Sequence, residues 1–251
     1  MTKNRLIAVI VVRDGRVVQS EKFKHNHVIH YDAIHAIESF SRWNVDEIVV
    51  LNVSHGKETK ESFLEIIEKV SKVCWVPLTA GGFINSVDYG ANLIKKGADK
   101  LIINSSFHNQ PEIPKELANK FGKQCIVASI DVKDIDDKKI VHVDRGKLNT
   151  NQSLQSWVPH CEKYGAGELF INNIDYDGNR GGYDLHSLKI ATEECNLPVV
   201  IFGGAAMDKH FAQGIEHGAS GVAAANIFHY KEMATKQIKR YLIKNNYSVR
   251  A

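Results

Sequence analysis

Several short marks recur along this 251-residue chain at almost one spacing. Pro77 and Pro198, Gly97-Ala98 and Gly218-Ala219, and Phe107-His108 and Phe228-His229 each lie 121 residues apart, while Gly81-Gly82 and Gly203-Gly204 lie 122 apart. A repeat of that length spans several supersecondary units, so the chain reads as two copies of one half-structure. Within each copy, short β-branched runs alternate with longer stretches of helical period. The runs are residues 6–12, 47–53, 76–80, 100–104, 125–131, 168–174, 199–202 and 221–225; the helical stretches are 31–43, 60–72, 87–96, 112–121, 153–164, 185–194, 210–217 and 231–244. Eight strand-then-helix units imply parallel strands joined by right-handed crossovers. The expected fold is a single (β/α)8 barrel, or TIM barrel, over residues 1–251, built from two half-barrels.

Composition narrows the function more by exclusion than by indication. A chain that is 43% hydrophobic and 24% charged with 5 prolines is that of an ordinary globular protein. No apolar run approaches the ~20 residues of a membrane helix, and residues 1–5 lead straight into a strand. A cytoplasmic protein without a membrane anchor is expected. The formal charge of +3 comes from interspersed signs, which argues against a nucleic-acid surface. Cys74, Cys125, Cys161 and Cys195 are widely spaced and read as free, buried thiols. His25, His27, His30 and His35 crowd the segment 22–35 without the spacing of a zinc motif. A solvated loop near the barrel mouth is expected there, with no metal and no cofactor.

In barrels of this class chemistry sits where strands end and βα loops begin. Asp131, at the end of Ile126-Val127-Ala128-Ser129-Ile130, is the main acid/base candidate, because a partly desolvated carboxyl is driven toward a useful pKa. The bland alternative is an aspartate capping a loop. Gly203-Gly204 and Ala225-Asn226 would leave backbone N–H groups free around an anion, and Asp177-Gly178 ends the neighbouring loop. Gly81-Gly82 with Asn104 and Ser105 offers a second cradle in the other half. The alternative for each Gly-Gly is a tight turn.

These residues carry a resemblance over essentially the whole chain. The run Arg5 to Val12, its continuation Arg13-Asp14-Gly15, Asp131 and the glycine loops resemble the HisF family, the cyclase subunit of imidazole glycerol phosphate synthase. The resemblance implies two acid/base aspartates that close an imidazole ring after ammonia attack, and two phosphate sites. One aspartate is Asp131; at the other position this chain has Val11. Gln19 replaces a loop lysine, Asn52 replaces an aspartate, and Phe83 stands where a third glycine is usual. A phenyl group there would crowd the cradle of Gly82, Asn104 and Ser105.

At the opposite end of the barrel, Arg5, Glu47, Lys100 and Glu168 begin four strands with alternating sign. On residues alone they form an exposed surface cluster. The resemblance implies a gate through which ammonia enters from a docked HisH-like class I glutaminase, with Asp99 on the docking surface. The leading expectation is a HisF-like subunit, closest to the WbuZ or AglZ type, that channels this ammonia into forming acetamidino groups on a surface sugar. Its substrate would be a small phosphorylated compound or nucleotide sugar, and a sugar amidotransferase would be a further partner. Two alternatives stay open: a histidine-biosynthetic cyclase, and a non-catalytic conduit that activates the glutaminase.

Overall fold

The computed structural model describes residues 3–54, 59–230 and 233–250. Twelve strands form one sheet: β1 (Arg5–Arg13), β2 (Arg16–Glu21), β3 (His25–His30), β4 (Glu47–Asn52), β5 (Leu78–Gly81), β6 (Lys100–Ile103), β7 (Ile126–Ile135), β8 (Lys138–Val143), β9 (Leu148–Ser153), β10 (Glu168–Asn173), β11 (Val199–Phe202) and β12 (Gly221–Ala224). Eight of them run parallel in the order β1-β4-β5-β6-β7-β10-β11-β12, and pairing of β12 with β1 closes the (β/α)8 barrel. Pro77 has no N–H to give, so the third barrel strand starts at Leu78, and the Pro77 carbonyl accepts from Ile48 N at 3.0 Å.

The helices outside the barrel are α1 (Ala33–Arg42), α2 (Thr59–Ser71), α3 (Val87–Lys95), α4 (Ser106–Asn109), α5 (Glu112–Phe121), α6 (Leu154–Lys163), α7 (Leu185–Glu194), α8 (Asp208–Glu216), α9 (Asn226–Tyr230) and α10 (Ala234–Lys244). Of the predicted last helix, Lys231 and Glu232 lie outside the described residues. Several helices start where the sequence supplies a cap: Asp32, Ser86, Ser153 and Asp184 each accept a backbone N–H of the first turn.

Alternation along β1 shows how one strand serves two cores. Leu6, Ala8, Ile10 and Val12 face outward into the layer filled by Ile37, Phe40 and Phe63. Ile7, Val9 and Val11 face inward and meet Val49, Ile102, Val127, Phe170, Val200 and Phe202. The barrel interior is therefore filled with apolar side chains, as small barrels are.

Two hairpins depart from the expected plan. After β1 the chain turns at Asp14-Gly15 (φ 50° and 78°) into β2 and β3; after β7 it turns at Asp136-Asp137 (φ 47° and 59°) into β8 and β9. Both are two-residue turns with positive φ at each position, the geometry that suits strand twist. They occupy equivalent places in the two half-barrels. The expected solvated histidine loop is thus largely the strand β3, and His30 lies 5.3 Å from the ring of His229. The side chain of His25 lies outside the described residues.

Candidate active site

At the C-terminal end of the barrel a cavity of about 500 Å3 opens among Val11, Phe83, Asn104, Asp131, Asn172 and Asn226. Asp131 does not end its strand: β7 runs four residues further, with Asp131 paired to Asn172 on one side and to His142 on the other. That register excludes the loop-cap alternative and aims the side chain inward, in line with Val127. Asp131 is 8% exposed and accepts a hydrogen bond from Asn104 Nδ2 at 3.1 Å. Burial raises its pKa to about 7, the nearby Asp177 adds to the rise, and a hydrogen bond from Asn172 opposes it. A carboxyl so placed exchanges its proton near neutral pH. Val11 forms part of the same wall and offers only methyl groups.

The glycine loops behave differently in the two halves. Gly203 and Gly204 (φ 93° and 88°) bend around an open cavity of about 330 Å3 that also meets Ala225, Asn226, Asp177, Gly178 and Arg180. A Cβ on Gly204 would lie 2.1 Å from the Gly182 carbonyl oxygen, so only glycine holds this path. In the other half Gly82 has φ 119°, and Phe83 holds a left-handed φ of 57° with its ring in the mouth. The guanidinium of Arg145 lies 6.0 Å from the centre of that ring.

Asp177 has a role that sequence reasoning did not reach. Its carboxylate accepts from Ser20 Oγ at 2.8 Å and from Phe23 N at 3.4 Å, and its carbonyl accepts from Lys22 N at 3.2 Å. Burial raises its pKa and the Ser20 bond restrains the rise. It pins the tip of the β2–β3 hairpin over the mouth. Gln19, on the same hairpin, is buried and accepts from Tyr230 OH. Arg145 and Arg180, both beside the cavities, were also missed, because each sits at a positive-φ loop position that no helix or strand period marks.

At the floor the four charges close a ring. Arg5 bonds Glu47 at 2.8 Å and also Glu168; Lys100 bonds Glu47 at 3.0 Å and Glu168 at 2.8 Å. Thr79 Oγ1 adds a bond to Glu47 at 2.8 Å. The expectation of an exposed cluster is corrected here: Glu47 and Glu168 are 3% and 5% exposed, because the strand starts turn them inward. Burial alone would raise the Glu168 pKa, but Arg5 and Lys100 hold it below the usual carboxylate range. Asp99 is exposed and its carboxylate accepts from Leu78 N at 2.8 Å, securing the start of β5.

The family model described as "Histidine biosynthesis protein" matches residues 5–234. Imidazole glycerol phosphate synthase subunit HisF of Thermotoga sp. (strain RQ2) is 35% identical over 250 residues, covering 100% of this chain and 98% of that protein. The subunit HisF of Hydrogenobaculum sp. (strain Y04AAS1) is 36% identical over 255 residues and that of Flavobacterium johnsoniae 35% over 251, both with 100% of each chain covered. With a barrel, glycine cradles and buried Asp131 that agree with such extensive similarity, the chain belongs to the HisF family of imidazole glycerol phosphate synthase subunits.

Proposed function

We propose that this chain is the ammonia-using subunit of a two-protein, glutamine-dependent synthase, with its partner a HisH-like class I glutaminase docked at the floor. The observation that carries this reading is the arrangement along one barrel: a closed ion-pair ring at the strand starts, an apolar interior, and Asp131 at the mouth. From Arg5 to Val11 is about 20 Å of strand. Uncharged ammonia can cross such an interior where ammonium cannot, and a ring of Arg5, Glu47, Lys100 and Glu168 opens if Lys100 swings away. Trp75, 86% exposed and two residues before Pro77, gives the floor an aromatic anchor for a protein partner.

At the mouth Asp131 serves as the acid/base group. As carboxylate it takes a proton from the attacking nitrogen; as acid it returns one to a departing oxygen. The names of the relatives support imidazole ring closure in histidine biosynthesis as the reaction, ahead of sugar amidation. Val11 favours the second reading, the WbuZ or AglZ type, in which ammonia goes to an acetamidino group on a surface sugar activated by a separate amidotransferase. An amidation of that kind does not require two facing carboxylates. The deciding experiment is a steady-state assay of the purified chain with the imidazole glycerol phosphate precursor and saturating ammonium salt. Turnover at the rate of the relatives establishes the first reading; turnover at least 100-fold slower favours the second.

A further inference from the structure

Along the inner face of β10 the side chains change character in one step. Phe170 belongs to the apolar filling of the barrel, with the ring of Phe202 5.3 Å from its own, whereas Asn172, two residues further, faces the same way into the mouth. On the neighbouring strand β7, Ser129 lies beside Phe170 and Asp131 beside Asn172. Across the barrel Val11 and Leu51 offer only methyl groups to the same cavity. At this level the wall is polar on the β7–β10 side and apolar on the β1–β4 side.

Asn172 is 3% exposed, and its carboxamide is divided between two neighbours. The amide N–H donates to Asp131, which fixes the orientation of the side chain. Oδ1 is thereby turned toward Gly203, where an added Cβ would stand 2.4 Å from it. This oxygen is buried and has no hydrogen-bond partner among the described residues. A buried acceptor without a donor is unusual and calls for a ligand that brings one. Asp131, as carboxylate, is a second acceptor beside it, with Asn104 Nδ2 already donating at 3.1 Å. Two neighbouring acceptors suit a small molecule that carries at least two donors of its own.

We propose that Asn172 Oδ1 and the Asp131 carboxylate together form the docking site for the ammonia that this chain uses. With two N–H groups held by these oxygens, the nitrogen lone pair is turned away from the wall and toward the middle of the mouth, where the carbon to be attacked must lie. When the C–N bond forms, the π pair of the attacked C=O or C=N bond moves to its oxygen or nitrogen, and one N–H proton passes to Asp131. Asn172 keeps its hydrogen bond through this step and takes no proton. The inference rests on the reading of this chain as an ammonia-using subunit, and on nothing about the glutaminase or the identity of the acceptor.

The test therefore needs neither. The side-chain amide signal of Asn172 and the carboxyl carbon signal of Asp131 are followed by nuclear magnetic resonance on the isotope-labelled full chain at pH 8, where Asp131 is largely ionised. The probe is ammonium chloride; tetramethylammonium chloride, which has the same charge and no N–H, is the control at equal ionic strength. Both signals should move with ammonium to one common half-saturation point at or below about 0.1 M, and neither should saturate with the control. Asn172→Leu, of similar volume, should raise the half-saturation point at Asp131 by about tenfold, and a circular dichroism melt checks its fold. If that variant does not fold, the two signals of the unaltered chain still decide. No saturable shift at Asn172, an equal response to tetramethylammonium, or an Asp131 response unchanged in a folded Asn172→Leu would overturn the proposal. A chain that binds ammonium here and recruits no glutaminase loses only the floor reading; a chain that recruits one and shows no shift loses only this site.

Discussion

Val11 and Asp131 stand at the same level on strands diametrically opposed in the barrel. Val11 pairs with Leu51 of β4 and Asp131 with Asn172 of β10, and four strand steps separate β1 from β7 in either direction. A ligand across the axis therefore meets a carboxyl on one side and methyl groups on the other. If ring closure needs a proton moved on each side, this mouth supplies one of the two transfers, and a missing acid/base group costs ~10² to 10⁴ in rate. If ring closure uses both transfers, cyclisation with ammonium salts falls at least 100-fold below that of the Thermotoga relative, which is the outcome that favours amidation. Val11→Asp should recover part of it. A rate for the unaltered chain within tenfold of the relative would show that Asp131 alone suffices.

Asp131 also makes a stability prediction. Its pKa rises from 3.8 unfolded to about 7 folded, so its contribution to stability is fully present below about pH 4 and is lost as pH climbs through 7. Asp131→Asn removes the buried charge and should stabilise the fold at pH 8 by up to about 4 kcal/mol, with no gain at pH 4. Urea melts at the two pH values check this. An equal effect at both would mean that the carboxyl is not held neutral by its surroundings. Such a gain at the expense of chemistry is what a functional carboxyl in an apolar wall implies.

The barrel was legible in the sequence because the repeat and the strand periods report the same apolar alternation that fills its two cores. The hairpins were less so. Asp14-Gly15 carries a recognised hairpin signal, whereas Asp136-Asp137 reaches the same left-handed turn without glycine, and β3 is too polar to show a period. At the site, Asp131 and the glycine loops are marked by type and position. Asn172 is not, since nothing local distinguishes an inward asparagine with an unpaired oxygen from its neighbour Asn173, which turns outward to Asp134 and Asp184. The same limit hid the burial of Glu47 and Glu168: a charge at a strand start reads as surface until the barrel closes over it.

Closure of that ring changes what truncating Lys100 should do. Lys100→Met leaves Glu47 and Glu168 buried with Arg5 as their remaining cation, and losing one partner of buried pairs destabilises by about 3 kcal/mol. Glu168 is the sensitive group. Its lowered pKa contributes stability above the unfolded value of 4.5 that disappears as pH falls through the folded value. With Lys100 gone the folded value moves up, so acid unfolding should begin at higher pH in the variant. Coincident acid transitions would show that Lys100 contributes little and that the ring is held by Arg5.

The docking surface can be separated from the ring by two substitutions at its edge. Asp99→Asn removes a negative charge but keeps an oxygen that can accept from Leu78 N, so the start of β5 is preserved and the thermal midpoint should shift by less than about 2 °C. Trp75→Ala deletes a side chain that is already in water, with equally little effect on the fold. If the floor receives a glutaminase, both should weaken its binding, Trp75→Ala by tenfold or more because an exposed tryptophan that becomes buried anchors an interface. The measurement is surface binding of a HisH-like class I glutaminase, paired with glutamine hydrolysis with and without this chain. Unchanged affinity in both variants places the partner elsewhere, and absence of binding at micromolar concentrations removes the glutaminase from the mechanism.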